Sequence, residues 1–515
     1  MTKIRLPEKV NTIIHRLQTA GYEAYAVGGC VRDSLLGRIP EDWDITTCAK
    51  PAEVKSLFAR TVDTGIAHGT VTVLLDREGF EVTTYRIDGE YEDARHPKQV
   101  EFTPSLSLDL ARRDFTINAM AYNDEAGIID LFRGMEDMEN RRIRCVGNAN
   151  ERFDEDALRI MRAVRFSAQL DFDIEPETLQ AVASHAKELS RISAERIRVE
   201  LTKLLLSDHP ERLLTASRTG LTAVFLPEFD RMLATEQENP HHIYDVGMHT
   251  VHALSYMARR TAEARAAADD PTTGNLLPAT EDVETDCLPR QTSAVSANIF
   301  DTDASLRSLS KKDHTILRFA LLLHDCAKPE AKTVDRTGTA HFIHHDLLGA
   351  KRAGEILRRL KFDNDTIHAV SHLVEMHDIR YADSEKTVKE RSARRAVMRV
   401  GKEYLTLLFL LQEADLNAQN PVLLPDKLRQ LSEAKQLAQQ ILDREQCVSI
   451  KDLAVNGSDL ISAAGMKPGR EIGLVLEQLL DHVIEHPEKN EREYLLRYAC
   501  ELYHETPPKP FGRPL

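Results

Sequence analysis

The spacing of apolar residues changes once along this chain, near residue 136. From about residue 22 to 132, short β-branched runs such as GTVTVLL (69–75) and FEVTTYRI (80–87) alternate with helical patterns and turns, which predicts a small mixed α/β domain. From about 136 onward the period becomes helical and largely stays so. Residues 151–207 place apolar positions at three- and four-residue spacing, and SAERI (193–197) offers Ser193 as an N-cap with a glutamate in the first turn. Two histidine-rich helical regions follow Pro240, and a further helical region spans about 421–503, carrying the turn GMKPGREIG (465–473). Residues 262–310 hold few large apolar side chains in any period and several Pro, Thr and Asp, so a flexible insertion within a helical domain is expected there. The end, PPKPFGRPL (507–515), is expected to be a disordered tail. No internal repeat is visible. The patterns predict an α+β protein with a head over 1–135, a helical neck over 136–235, a helical body over 236–420 and a helical tail over 421–515.

Composition adds limits to this picture. A chain of 515 residues with 42% hydrophobic content is long enough for several separate cores. No apolar run approaches the roughly 20 residues a membrane helix needs. The seven cysteines are scattered singly without a CxxC pair, and MTKIRLPEKV lacks the apolar centre of a signal peptide, so a reducing cytoplasm is the expected compartment. A net charge of -15 argues against a broad, nonspecific nucleic-acid surface. Arginine nevertheless gathers in RRIR (141–144) and LRIMRAVRF (158–166), so a polyanion is expected to dock at one place.

Candidate chemistry begins with VGGCVRDSLLGRIPEDWDI (27–45). Asp42 and Asp44, two residues apart on an extended strand, point to one face and can ligate one hard cation or a pair. Mg²⁺ takes such a set, completing its shell with substrate phosphates and water. Gly28 and Gly29 follow the apolar strand EAYAV (23–27) and would let backbone N–H groups approach a triphosphate, with Arg32 adding charge. A phosphate cradle beside a metal site points to nucleotidyl transfer, in which two metals activate a hydroxyl and stabilise departing pyrophosphate. Glu81, on the later strand FEVTTYR, is a candidate third carboxylate. Taken singly, the glycine pair is a tight bend and EDWD an acidic turn; their combination carries the reading.

The same stretch resembles the signature of the class II tRNA nucleotidyltransferase and bacterial poly(A) polymerase family, within the DNA polymerase beta superfamily. RRDFTINAMAY (112–122), DLFRG (130–134), EDALRIMRAVRF (155–166) and RISAERIRVEL (191–201) follow in the family's order, so the resemblance covers at least residues 22–230. Two positions depart from the pattern: Trp43 stands where a smaller residue is usual, and Arg133 where glycine is common. The resemblance implies a polymerase-beta-like nucleotidyltransferase head, an all-α neck that binds RNA and nucleotide, and Mg²⁺ held by Asp42 and Asp44. It also implies that Asp156 and Arg159 pair with the base of the incoming nucleotide, while Arg113, Arg162 and Arg165 meet the triphosphate or the primer backbone.

Asp156, Arg159, Arg162 and Arg165 recur every three residues, which places them along one side of a helix, drifting slowly around it; an i to i+3 ion pair on a solvated face is the plain alternative. The chemistry suits the implied role. Cytosine and adenine each present an amino donor beside a ring-nitrogen acceptor, matching an Asp acceptor beside an Arg donor, whereas guanine and uracil reverse the order. Such a pair accepts CTP and ATP and leaves buried groups unpaired against GTP and UTP. The segment IDGEYEDARHPKQVEFTPSLSLD (87–109) resembles the flexible loop of enzymes that add a complete CCA end. Untemplated addition of CCA to the tRNA 3′ end is therefore expected, with a poly(A) polymerase or a partial CC- or A-adding enzyme as alternatives.

The second half holds GMHTVHAL (247–254), LLLHDCAKP (321–329), FIHHDLLGA (342–350), LVEMHDI (373–379) and EADLNAQNP (413–421). A His, an adjacent His-Asp pair and a distant Asp, all expected on helices, resemble the HD superfamily of metal-dependent phosphohydrolases. His249, His324, Asp325 and Asp415 match its minimal ligand set, and His345 and His377 are candidates for a second divalent metal. The resemblance implies an HD-like body and adds a further alternative: a phosphohydrolase whose head serves only to bind RNA. The insertion, lying between His249 and the His324–Asp325 pair, is expected to border the site. The tail, 421–503, carries no catalytic cluster and is expected to help hold tRNA. The sequence sets no oligomeric state.

Overall fold

The structure is a computed structural model that describes residues 3–88, 100–269, 300–379, 381, 388, 390–443, 450–463 and 465–505. It divides into two compact units, Met1–Asp230 with Arg359–Lys361, and Arg231–Arg358 with Phe362–Leu515.

In the first unit, the head is built on a seven-stranded sheet. Its strands are β1 (Ala24–Val27), β2 (Ile45–Thr47), β3 (Thr61–Gly65), β4 (Thr70–Leu75), β5 (Glu78–Thr84), β8 (Met120–Asn123) and β9 (Gly127–Asp130), and the short pair β6 (Arg86–Asp88) and β7 (Val100–Phe102) stands apart. The spatial order is β3-β4-β5-β2-β1-β8-β9. Of the pairs, β2 with β5 is parallel, in the register Ile45↔Val82, while β1 runs antiparallel to both β2 and β8. The alternation of TVTVLL buries Val71 and Val73 completely, as a strand with one covered face requires. Against that face packs the helix Glu8–Thr19. It buries Val10, Ile13, Ile14 and Leu17, a spacing of three, one and three residues that forms a single helical stripe. Each such burial contributes about 1.5–3 kcal/mol relative to exposure.

The neck follows within the same unit. Helix Ala149–Glu155 ends at Asp156, and helix Leu158–Leu170 starts two residues later. Helix Ala194–Leu205 packs along the latter. Ser193 stands at the expected N-cap position of that helix, but its side chain makes no capping hydrogen bond.

The second unit is almost entirely helical. Helix Leu405–Asn417 is apolar nearly all round, burying Leu405, Leu407, Leu408, Phe409, Leu410 and Leu411, and therefore runs through the core. Helices Val246–Asp269 and Lys311–Leu323 pack against it, and Asn364–Met376 lies beside them. In the tail, helices Arg470–Glu485 and Arg492–Glu505 close a separate small core through Val475, Leu479, Val483, Leu495 and Ala499.

The α+β architecture expected from the sequence is the one observed. The flanks of the segment expected as an insertion are ordered: residues 262–269 continue the helix Val246–Asp269, and Thr302–Ser308 is helical, with Phe300 buried 4.9 Å from Phe409 between ring centroids. Residues 270–299 lie outside the described residues, as do 89–99 of the loop expected at 87–109 and the expected tail from 506 onward. Within that loop region, Leu106–Ala111 is helical. Among the described residues, no helix is long and apolar enough to cross a membrane.

Candidate nucleotide and metal sites

Asp42 and Asp44 lie just ahead of β2, in the connection that enters it, rather than on the strand itself. Asp44 is nevertheless tied into the sheet, since its carbonyl accepts the Val27 amide at 3.0 Å. Trp43 turns to the other side and packs against the head core. Glu81 precedes Val82, the parallel partner of Ile45, so Asp44 and Glu81 each stand one residue before a paired position on neighbouring strands. Their electrostatics record the proximity. Loss of solvation raises the Asp44 pKa above its ordinary value, Arg113 works against the rise, and Asp42 adds to it. Glu81 is raised by desolvation and then by the charges of Asp44 and Asp42. Three acidic groups thus share one region with too little positive charge, which suits the oxygen-rich shell of a hard divalent cation.

The glycine turn closes the other side. Gly28 has φ +84, a left-handed conformation that disfavours a side chain, and a Cβ there would meet Arg113 Nη1 at 3.1 Å. Its amide donates to the Met120 carbonyl (3.2 Å), so this expected phosphate donor is engaged in the sheet. Gly29 opens the helix Gly29–Leu35. Arg32 on that helix is buried, bonded to Asp33 through Nε (2.9 Å) and Nη2 (2.8 Å) and to Asn118 Oδ1 (2.5 Å). Arg113 is held by Asp109, a fully buried carboxylate 3.5 Å away that also binds Arg112 at 2.7 Å. Arg113 is therefore the arginine that adjoins both the glycine turn and Asp44.

The structure breaks up the expected arginine stripe. Asp156 is not on the helix but in the extended link before it, and among its bonds one carboxylate oxygen accepts the Leu158 amide (3.0 Å). Arg159 donates to the carbonyls of Arg152 (3.0 Å) and Arg112 (2.9 Å) and forms an ion pair with Glu155. Arg162 binds Asp114 at 2.6 Å, and although burial opposes ionisation, that contact holds the Asp114 pKa well below the usual range. Arg165 is buried against Glu200 (2.8 Å) and over the Phe166 ring, with burial lowering its pKa to about 10, so it faces protein rather than an open nucleotide site. Much of the arginine charge is spent internally: Arg141 and Arg144 likewise pair with Asp171 and Asp137. Sequence reasoning missed Arg196, which reaches Asp156 at 2.8 Å; it lies in RISAERIRVEL, a segment noticed for its order and not for its contacts.

In the second unit, the six candidate ligands come together. His249 Nε2 lies 2.9 Å from Asp415 Oδ1 and 3.3 Å from His324 Nε2. His345 Nε2 lies 3.2 Å from His377 Nε2. Asp325 stands between the pairs, with Oδ2 3.2 Å from His324 and Oδ1 3.5 Å from His345. His249, His324 and Asp325 bring three ligand atoms within 4.8 Å of one another, as do Asp325, His345 and His377. The ligands do not all sit within helices as expected. His324 and His377 are C-caps, and their Nδ1 atoms bond the carbonyls three residues back, Leu321 (2.8 Å) and Val374 (2.6 Å), which the helix end leaves unpaired. His345 does the same to Phe342 (2.7 Å), and His249 Nδ1 meets the Ala418 carbonyl (3.2 Å). With Nδ1 turned to a carbonyl, Nε2 of each ring faces the cluster, the usual second-sphere arrangement of metal-binding histidines. Neither oxygen of Asp325 has a well-aligned hydrogen bond, although Lys328 Nζ is 2.8 Å from Oδ2; burial opposes its charge, but His324 and Lys328 hold its pKa well below the ordinary range. Lys328 was also missed, three residues beyond the His-Asp pair. The cluster opens on a cavity of about 1200 Å³ lined by Lys328, His345, His377, Gln412 and Asp415.

Comparison with known proteins bears on these sites separately. Residues 24–144 match the poly A polymerase head domain. Residues 171–233 match the probable RNA and SrmB-binding site of polymerase A, and 339–499 match a putative second domain of tRNA nucleotidyltransferase. The CCA-adding enzyme of Lactiplantibacillus plantarum is 53% identical over 225 residues, 44% of this chain and 54% of that enzyme. That of Pediococcus pentosaceus is 47% identical over 247 residues, 46% of this chain and 62% of its own. The chain thus spans a little over half the length of the curated relatives it matches. The Bacillus stearothermophilus CCA-adding enzyme in complex with CTP is 27% identical, with a TM-score of 0.62 over 96% of both chains. The Thermotoga maritima CCA-adding enzyme complexed with tRNA shares the fold, at 18% identity and a TM-score of 0.52.

Proposed function

We propose that this chain adds C, C and A, without a template, to the 3′ end of tRNA from CTP and ATP, and that it does so in the cytoplasm. The observation that carries the reading is the shared backbone between the two halves of the head site: Arg159 Nη2 donates to the carbonyl of Arg112, and the next residue, Arg113, adjoins Gly28 and Asp44. In this reading the nucleotide lies with its phosphates at Arg113 and its base at Asp156 and Arg159. Homology to CCA-adding enzymes supports the substrates.

Nucleotidyltransferases of this family use a divalent metal, and the crowded carboxylates of Asp42, Asp44 and Glu81 fit Mg²⁺. When bound, the metal lowers the pKa of the attacking 3′ hydroxyl and offsets charge on pyrophosphate. Around it, Arg113 orients the triphosphate, Arg32 and Asn118 stiffen the glycine turn, and Asp156 with Arg159 selects the base. The experiment offers tRNAs ending before CCA, after C and after CC, plus an oligo(A) primer, with CTP and ATP singly and mixed. Growth that stops after CCA supports the reading; indefinite A addition points to a poly(A) polymerase, and stopping after CC to a partial enzyme.

The histidine cluster favours a second reading: the body is an HD-like domain whose centre takes two divalent metals, with Asp325 shared between His249, His324 and Asp415 on one side and His345 and His377 on the other. Four ring nitrogens and two carboxylates suit a transition metal, which when bound would supply Lewis acidity for phosphoester hydrolysis. Metal content after reconstitution, together with hydrolysis of a bis-aryl phosphodiester by the full chain, tests it. Two tightly bound metals per chain that vanish in the Asp325→Ala protein support the centre, and absence of metal excludes it.

A further inference from the structure

We infer that Arg196 is a positioning residue for nucleotide selection, fixing the carboxylate of Asp156 in the orientation that accepts the amino group of cytosine or adenine. The inference rests on the reading that Asp156 and Arg159 read the base. Arg196 straddles the carboxylate, with Nη2 2.8 Å from Oδ2 and Nη1 3.4 Å from Oδ1, while Oδ1 also accepts the Leu158 amide at 3.0 Å. Asp156 needs such a hold. It lies in the extended link between helices Ala149–Glu155 and Leu158–Leu170 (φ -140, ψ 102), where the single Leu158 amide holds one oxygen and leaves the carboxylate plane to be set by Arg196. A donor-acceptor code fails if the acceptor can rotate, because the same carboxylate turned about its bond no longer faces the base edge at the angle that rejects uracil and guanine.

The scaffold behind Arg196 is rigid. Four residues further along helix Ala194–Leu205, on the same face, Glu200 grips Arg165 at 2.8 Å inside the protein. The two contacts, one in the middle of the packed pair of helices and one at its edge, hold Ala194–Leu205 against Leu158–Leu170 and the link before it. The Arg165 contact is buried, with under a tenth of either side chain exposed, whereas the Arg196 contact keeps about a fifth of each side chain open, 24% and 19%. The inner contact therefore holds the helices, and the outer one stays partly open to solvent. A planar fork matches both carboxylate oxygens, which an ammonium does not, so lysine at this position keeps the charge and loses the geometry.

The test measures incorporation of CTP, ATP, UTP and GTP into tRNA acceptors by the full chain and its variants. Arg196→Lys is expected to lower kcat/KM for CTP and ATP together by about tenfold, the size of one charge-assisted hydrogen bond, and to reduce the CTP:UTP ratio by a similar factor. Arg196→Gln, which keeps one planar donor, should fall between it and the parent protein and serves if the lysine variant folds poorly. Glu200→Gln, which loosens the inner contact alone, should lower the melting temperature and leave the ratio unchanged. Asp156→Ala separates the two levels of the argument. If it leaves the ratio intact, base reading by Asp156 is wrong; if it collapses the ratio while both Arg196 variants keep it, the role of Arg196 is overturned and the base-reading assignment stands.

Discussion

The guanidinium of Arg159 donates to the main-chain carbonyl of Arg112 at 2.9 Å, so the helix that would read the base is bolted to the segment that carries Arg113. Replacing Arg159 by lysine should therefore affect more than base contact. We expect kcat/KM to fall by about 10²-fold for both CTP and ATP, as expected for loss of charge-assisted bonds in a site whose geometry they set, and the stability of the head unit to drop by about 1–3 kcal/mol. Nucleotide incorporation and chemical denaturation measure the two effects.

Asp44 gives a prediction of opposite signs. Its folded pKa is raised, first by desolvation and then by Asp42, so the folded protein holds a proton there more tightly than the unfolded chain does. Stability from this group is therefore present at low pH and is lost as pH rises from the ordinary carboxylate value through the raised one. In chelator at pH 7, Asp44→Asn should melt higher than the parent protein, with the difference fading toward pH 4, while incorporation is abolished. A variant that melts lower at pH 7 would contradict the electrostatic account.

Asp42→Ala should likewise abolish incorporation and leave the melting temperature close to that of the parent, because Asp42 is exposed ahead of β2 and carries no core packing. Retained turnover would remove the metal assignment in the head.

Gly134 tests the packing beneath the site. A Cβ at this position would stand 2.4 Å from the Thr116 carbonyl, and backbone cannot move aside cheaply. Gly134→Ala should cost about 1–3 kcal/mol of stability, read by denaturation, with loss of activity following the loss of fold. Its neighbour Arg133 has φ 59, which explains why glycine is common there; Arg133→Gly should be tolerated with a change of no more than about 1 kcal/mol.

The histidine centre predicts a response to chelation. If two metals bind the folded unit, their removal should lower its melting temperature, by an amount that grows with free metal concentration in the untreated sample. His345→Ala should release one equivalent of metal, and Asp325→Ala both, as measured by elemental analysis.

Much of this was legible along the chain. The strands of the head announced themselves by period, and the paired aspartates and the His-Asp pair by adjacency, because residues two or fewer apart are held together by local geometry alone. The helix Glu8–Thr19, absent from the pattern-based reading, was present in the sequence as the stripe Val10, Ile13, Ile14 and Leu17. The spacing of the arginine stripe left its partners open. A three-residue repeat drifts around a helix, so Arg162 and Arg165 reach different partners, Asp114 and Glu200, that lie 48 and 35 residues away.

What the sequence by itself determined was the class of fold, the order of motifs and the residue types able to hold metal and phosphate. Tertiary structure decided which charges are free to act. Asp325 meets His345 and His377, Asp415 meets His249 across 166 residues, and Asp156 meets Arg196 across 40, because a side chain's partner depends on where two distant helices pack and no local period records it.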